Sequence, residues 1–100
     1  MARKVVSLVR SEKMARMIYF RGRVQGVGFR ATAASLARRY GLRGWVRNLA
    51  DGRVQLWVQG DEEVLEQFLS HLRQAMRGNI EGEESHAFAD EEMEGFRIVS

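Results

Sequence analysis

The feature that most restricts how this chain can fold is a change of hydrophobic period across a short run of glycines. From Met17 to Val24, "MIYFRGRV" alternates, with Ile18 and Phe20 on one side and Tyr19 and Arg21 on the other, the pattern of a half-buried strand. Farther on, Phe29, Ala33, Leu36, Ala37 and Tyr40 recur at helical spacing, and Gly41 stands where a C-terminal cap belongs. Between them lies "GRVQGVGFR", Gly22–Arg30, with three glycines in seven residues. A strand that becomes a helix within so few residues needs backbone conformations that a Cβ resists, and glycine supplies them.

The same reasoning orders the rest of the chain. "GWVRN" and "RVQLWVQ" read as two strands joined by "LADG", where Asp51-Gly52 provides the permissive turn; Val54, Leu56 and Val58 share one face and Trp57 points away from them. Asp61 stands at a helix N-cap with Glu62 and Glu63 in the first turn, and Val64, Leu65, Phe68, Leu69, Leu72 and Met76 form a stripe closed by Gly78. The segment after Gly78 carries seven acids between Glu81 and Glu94, with an edge strand expected near Ser85–Ala89 and a last strand at Phe96–Val99. No segment repeats. The order β, α, β, β, α, β predicts an α+β fold, a ferredoxin-like βαββαβ sandwich with an antiparallel sheet and two helices on one face.

Composition narrows the function classes. A chain of 100 residues with 45% apolar and 29% charged residues is one ordinary globular domain, and no apolar run approaches a membrane span. The absence of cysteine removes disulfides, thiolate nucleophiles and sulfur-ligated metal, and fits a cytoplasmic location. Residues 1–60 carry 13 basic residues against 2 acids, whereas residues 61–100 carry 3 against 11. Such an imbalance can suit an anionic ligand or nucleic acid, but is more simply read as charges alternating between the solvated faces of one compact fold. Residues 1–14 read as a basic extension without a secretory leader, with Met14 and Met17 as alternative starts, and residues 15–100 as the domain.

A strand running through glycines into a helix is suited to hold an anion. Consecutive N–H groups can turn inward, the helix N-terminus adds unpaired donors, and Arg30 in the first turn can add a bidentate, charge-assisted grip. The spacing Gly22-x-x-x-Gly26-x-Gly28 matches neither the dinucleotide nor the nucleotide-loop pattern, so no nucleotide is implied.

Together, "GRVQGVGFR" and "GLRGWVRNLADGRVQ" resemble the acylphosphatase family, whose signatures are this loop and the hairpin Gly-x-x-Gly-Trp-Val-x-Asn-x-x-Asp-Gly. The resemblance covers about Met17–Gly78. It implies a small hydrolase, free of metal and cofactor, that cleaves the carboxyl–phosphate bond of acyl phosphates such as acetyl phosphate, carbamoyl phosphate or the acyl phosphate of bisphosphoglycerate. It also implies that Gln25, Gly26, Val27, Gly28, Phe29 and Arg30 cradle the phosphate, that Arg30 is its charged ligand, and that Asn48 orients the attacking water. Family members usually continue past the second helix with a proline-containing turn and a valine-rich edge strand, whereas this chain has no proline and an acidic segment there. The final "GFRIVS" regains the family's Gly-Phe-x-Ile ending.

Simpler roles compete for individual residues. Asn48 suits a turn beside Asp51-Gly52, Trp45 and Phe29 suit the core, Arg23 suits an exposed strand, and His71 and His86 lack the partner pattern of a metal ligand or base. A rival reading is an RNA-binding or metabolite-binding module of the same βαββαβ order, but "GVGF" precedes the first helix instead of lying mid-strand where stacking aromatics belong. The expectation is therefore a cytoplasmic monomer acting on a small molecule, with no nucleic-acid or membrane partner.

Overall fold

The structure, a computed structural model, describes residues 13–100. Its elements are β1 (Lys13–Gly22), α1 (Phe29–Arg39), β2 (Arg43–Asn48), β3 (Val54–Asp61), α2 (Glu62–Ala75), β4 (Ile80–Phe88) and β5 (Phe96–Ile98). They form one sheet in the order β4-β1-β3-β2-β5. The first four strands are antiparallel neighbours, and β5 lies parallel to β2, with Gly44 opposite Phe96. The sheet is thus antiparallel as expected except for one parallel pair, β2 with β5. The reason is the route of the chain: β4 and β5 occupy opposite edges, so residues 89–95 must cross from one edge to the other and enter β5 in the direction of β2. Gln59 fastens that crossing, since its side-chain amide donates to the Glu91 carbonyl and its oxygen accepts the Glu91 N–H at 3.3 Å.

Burial on one sheet face explains the two helices. Ile18 and Phe20 of β1, Val46 of β2 and Val54, Leu56 and Val58 of β3 are fully buried against Phe29, Ala33 and Ala37 of α1 and Leu65, Phe68, Leu69 and Leu72 of α2. Each large side chain removed from water contributes on the order of 1.5–3 kcal/mol. Small residues on α1 allow close approach to the sheet. Asp61 is the N-cap of α2 as expected, but its side chain makes no capping bond, so the first-turn charge of Glu62 and Glu63 supports the helix instead. The ion pairs Arg16–Glu66 at 2.6 Å and Arg73–Glu83 at 2.8 Å connect α2 with β1 and β4. Arg38 of α1 reaches β5, donating to the Phe96 carbonyl at 2.8 and 3.2 Å.

Three local expectations change. β1 starts at Lys13, earlier than Met17, because its polar first half pairs with β3 from Lys13 opposite Asp61 onward. The expected extension over residues 1–14 lies outside the described residues except for Lys13 and Met14, which belong to this strand. β4 is longer than the expected Ser85–Ala89, since pairing with β1 carries it from Ile80 to Phe88 despite its charge. Trp45 leaves the core and lies half-buried on the opposite sheet face, with the Arg47 guanidinium 5.5 Å from its ring, because Gly44 and Val46 take the helix-facing positions of β2. Trp57 shares that outer face and is covered by Phe88, with ring centroids 5.6 Å apart.

In the hairpin turn, Asp51 accepts from the Arg53 backbone N–H at 3.1 Å and from its guanidinium at 2.9 Å. The backbone bond, with the side-chain bond and the nearby charge, holds the Asp51 carboxyl below its usual range. This support is present at neutral pH and is lost as pH falls through the lowered value.

Gly44 is the position least open to substitution. Its φ of 147° is a conformation L-residues avoid, and a Cβ there would strike the Trp57 carbonyl on β3. Gly44→Ala is expected to cost about 3 kcal/mol, read as a lower urea midpoint at unchanged slope.

Candidate active site

The site is built where β1, β2 and β5 end, away from the strap formed by residues 89–95. Phe20 near the end of β1 and Phe29 at the start of α1 pack with tilted rings whose centroids lie 4.9 Å apart, both buried, which fixes the two ends of the glycine-rich loop. Val24 is a fully buried anchor within it. Arg23 joins the loop to the turn after α2: its N–H donates to the Asn79 carbonyl at 2.9 Å, and the Asn79 side chain donates to the Arg23 carbonyl at 3.0 Å.

Gly26 and Gly28 adopt left-handed conformations with φ of 76° and 80°, and Val27 between them does not. A Cβ on either glycine would meet nothing within 4 Å, so glycine is used here for its torsions and not for space. Alternating handedness is the backbone pattern that turns successive N–H groups to one side. Gly28 is also the N-cap of α1, and the first turn of that helix contains no acid. Its end therefore keeps the partial positive charge that carboxylates temper in α2.

Gln25 connects this loop to the hairpin. Its side-chain amide donates to the carbonyls of Leu49 at 2.8 Å and Arg53 at 2.9 Å, directly beyond Asn48. The Leu49 N–H also donates to the Arg53 carbonyl at 2.8 Å, closing the hairpin at the same point.

Loop and strand ends enclose a cleft of about 220 Å³ lined by Gly26, Gly28, Phe29, Arg30, Asn48 and Ile98, with Val24 and Ala31. Five of the residues singled out in the sequence thus meet at one place. Gln25 and Val27 do not line it: the Gln25 side chain is committed to the hairpin, and the Val27 side chain is exposed. Arg30 is half-buried and makes no hydrogen bond or ion pair among the described residues. Ile98 was missed, since nothing in the sequence foretells that β5 pairs with β2 and brings Ile98 opposite Val46.

Asn48 supplies the most informative detail. Its Oδ1 is buried and has no hydrogen-bond partner among the described residues. A buried acceptor left unpaired costs on the order of 1–3 kcal/mol, so the side chain is suited to a ligand rather than to the fold. The remaining titratable side chains offer no rival centre. His71 contacts the Tyr40 hydroxyl at 3.2 Å, His86 pairs with Glu84 at 2.8 Å, and no cluster of three metal-ligating side chains occurs among the described residues.

Two helices over a βαββαβ sheet, with the loop at the β1–α1 junction, place the molecule in the ferredoxin-like class of α+β sandwiches. The acylphosphatase family profile matches residues 16–98. An acylphosphatase of Thermus thermophilus is 43% identical over 79 residues, covering 78% of this chain and 90% of that protein. The solved acylphosphatase of Bacillus subtilis superposes with a TM-score of 0.79 at 32% identity, over 89% of this chain and 100% of that one. That of Coxiella burnetii does so with a TM-score of 0.79 at 25% identity, over 87% and 93%. The chain belongs to the acylphosphatase family and is a hydrolase of acyl phosphates.

If Asn48 serves a ligand and not the fold, removing its side chain is harmless to stability. Asn48→Ala is expected to unfold in urea within about 0.5 kcal/mol of the parent chain or above it, the acceptor's burial cost offsetting the lost packing.

Proposed function

We propose that the chain hydrolyses the carboxyl–phosphate bond of acyl phosphates at the cleft between the glycine-rich loop and the end of β2, with Arg30 and Asn48 as its catalytic residues. The observation that carries this reading is the meeting in one cleft of an arginine side chain and a buried asparagine oxygen, neither of which has a partner among the described residues.

The chemistry suits so sparse a set. The amides of Gln25–Arg30 and the Arg30 guanidinium hold the phosphoryl oxygens and stabilise charge on the transferring group. Asn48 accepts a hydrogen bond from a water and aims it in line at phosphorus. The water oxygen–phosphorus bond forms while the phosphorus–carboxyl oxygen bond breaks, and its electron pair leaves with the carboxylate. A carboxylate departs without a strong acid, and the water's proton passes to the substrate's own phosphate. No general base and no metal is required by this route, and positioning supplies most of the effect.

The family match over residues 16–98 supports a single catalytic domain whose first strand begins at Lys13, two residues before the expected boundary at residue 15, with the basic residues before it as an extension. We read the protein as a cytoplasmic monomer acting on a small molecule. No described helix is long and apolar enough to cross a membrane. Nucleic acid is a poor fit to the outer sheet face, where Trp57 is buried under Phe88 and the rings of Tyr19 and Trp45 already carry Arg53 and Arg47.

The deciding experiment is acetyl phosphate hydrolysis in the presence of chelator. Arg30→Ala and Asn48→Ala, both folded, are each expected to lose roughly 10²–10³ in rate; turnover surviving in both would refute the assignment. Gln25 is a positioning residue that holds the loop against the strand end carrying Asn48. Both its acceptors keep another donor, the Gly52 N–H on Leu49 and the Leu49 N–H on Arg53, so Gln25→Ala should fold. It is expected to lower kcat about tenfold with little change in inhibition by inorganic phosphate, and to add nothing in an Asn48→Ala background.

A further inference from the structure

The most exposed large apolar side chain among the described residues is Phe88, at 49%, and it lies at the end of β4, whose outer edge has no neighbour among those residues. Pairing with β1 sets Ser85 opposite Ile18 and Glu83 opposite Phe20, both helix-facing, so Gly82, Glu84, His86 and Phe88 share the outer sheet face. The order of these residues is complementary to itself about Ser85. Two copies of β4 laid antiparallel, with Ser85 on a two-fold axis, set Gly82 opposite Phe88, Glu83 opposite Ala87 and Glu84 opposite His86. No carboxylate then meets another. Moving the axis one residue either way sets Glu84 against Glu84 or His86 against His86, so the pattern favours a single register.

The groups beside this edge fit the same arrangement. Glu83 is already engaged by Arg73, at 2.8 and 3.0 Å. A Cβ on Gly82 would meet the Arg21 guanidinium, which therefore lies over the glycine, and none of the ion pairs among the described residues uses Arg21. A Phe88 ring arriving from a second copy covers that glycine and meets a cation. His86 faces Glu84 at 2.8 Å on its own strand, and on β1 it faces Met17 and the edge of the Tyr19 ring, whose face carries the Arg53 guanidinium at 4.8 Å. Pairing two copies gathers two carboxylates and two imidazoles around the axis. With neutral imidazoles the carboxylates repel; with protonated imidazoles the charges balance. Histidine gains that charge near pH 6.5.

We propose that the free edge of β4 is a docking surface for a second copy of this chain, paired antiparallel about Ser85 below about pH 6 and kept apart at neutral pH by its own carboxylates. Seven residues a side make a small interface, so the dimer is weak, with Kd on the order of 0.1 mM in mild acid.

Sedimentation equilibrium of the full chain at about pH 7.5 and about pH 5.5 tests this. Each cross-strand charge pair is worth roughly threefold and symmetry supplies two, so association is expected to be about tenfold tighter in acid. His86→Gln is expected to lose that pH dependence. Glu84→Arg/His86→Glu sets opposite charges across the axis at both pH values and is expected to dimerise at neutral pH as well. The chain has no cysteine, so Ser85→Cys reports the register. Oxidised in mild acid it is expected to give a disulfide-linked dimer, whereas Glu81→Cys, which would face Ala89 across the axis, is not. A parent chain that stays monomeric at about 1 mM in mild acid, as it would if another occupant held this edge, overturns the inference. So does a dimer that is indifferent to the charge exchange, or one that crosslinks equally in both cysteine variants.

Discussion

The contact on which the site most depends is the one between Phe20 and Phe29, whose rings lie 4.9 Å apart in the core. One closes the regular part of β1 and the other opens α1, so burying both forces the chain to reverse within the residues between them. A connection that short, pinned again by the buried Val24, has few backbone solutions, and the left-handed glycines at 26 and 28 provide one. The loop's shape follows from core packing beneath it, at a helix end that contains no acid. Hydrophobic burial thereby organises the polar groups that would receive an anion.

A second constraint couples the loop to the hairpin. The Gln25 amide has two hydrogens, and both go to backbone carbonyls at the place where β2 and β3 diverge. Asn48 precedes that junction by one residue, so loop and asparagine form one rigid unit instead of two parts that happen to be near. Such rigidity matters for a reaction that depends on alignment more than on acid–base chemistry. The unpaired Asn48 oxygen is the local energetic cost of that arrangement.

The far end of the molecule meets the consequences of a crossing chain. Residues 89–95 span the sheet from β4 to β5, and Gln59, a fully buried polar side chain on the central strand, is satisfied by the backbone of Glu91 on that strap and by the Trp57 ring nitrogen at 2.8 Å. The acidic character of this region follows from its position. Among the described residues β4 is an edge strand paired with β1 alone, and charge on an edge opposes association with another chain. The same crossing delivers Ile98 to the site, so the C-terminal strand contributes a lining residue although it is three residues long.

The sequence by itself determined the order of elements, the helix-facing residues of β1, β3 and both helices, and the loop and asparagine that make the site, because period, glycine placement and turn chemistry are local properties. It also carried the resemblance that named the family. Only the tertiary structure decided the rest. The polar start of β1 and the charged length of β4 are strand because each pairs with a neighbour distant in sequence, and no local preference reports such pairing. Trp45 lies on the outer face because register, which one residue inverts, assigns alternate positions of β2 to opposite sides. The Gln25 side chain showed no link to the hairpin until the hairpin stood beside it, and Ile98 had no visible role until β5 crossed to β2. What lies along the chain was written in the residues; what meets across it was decided by packing and strand pairing.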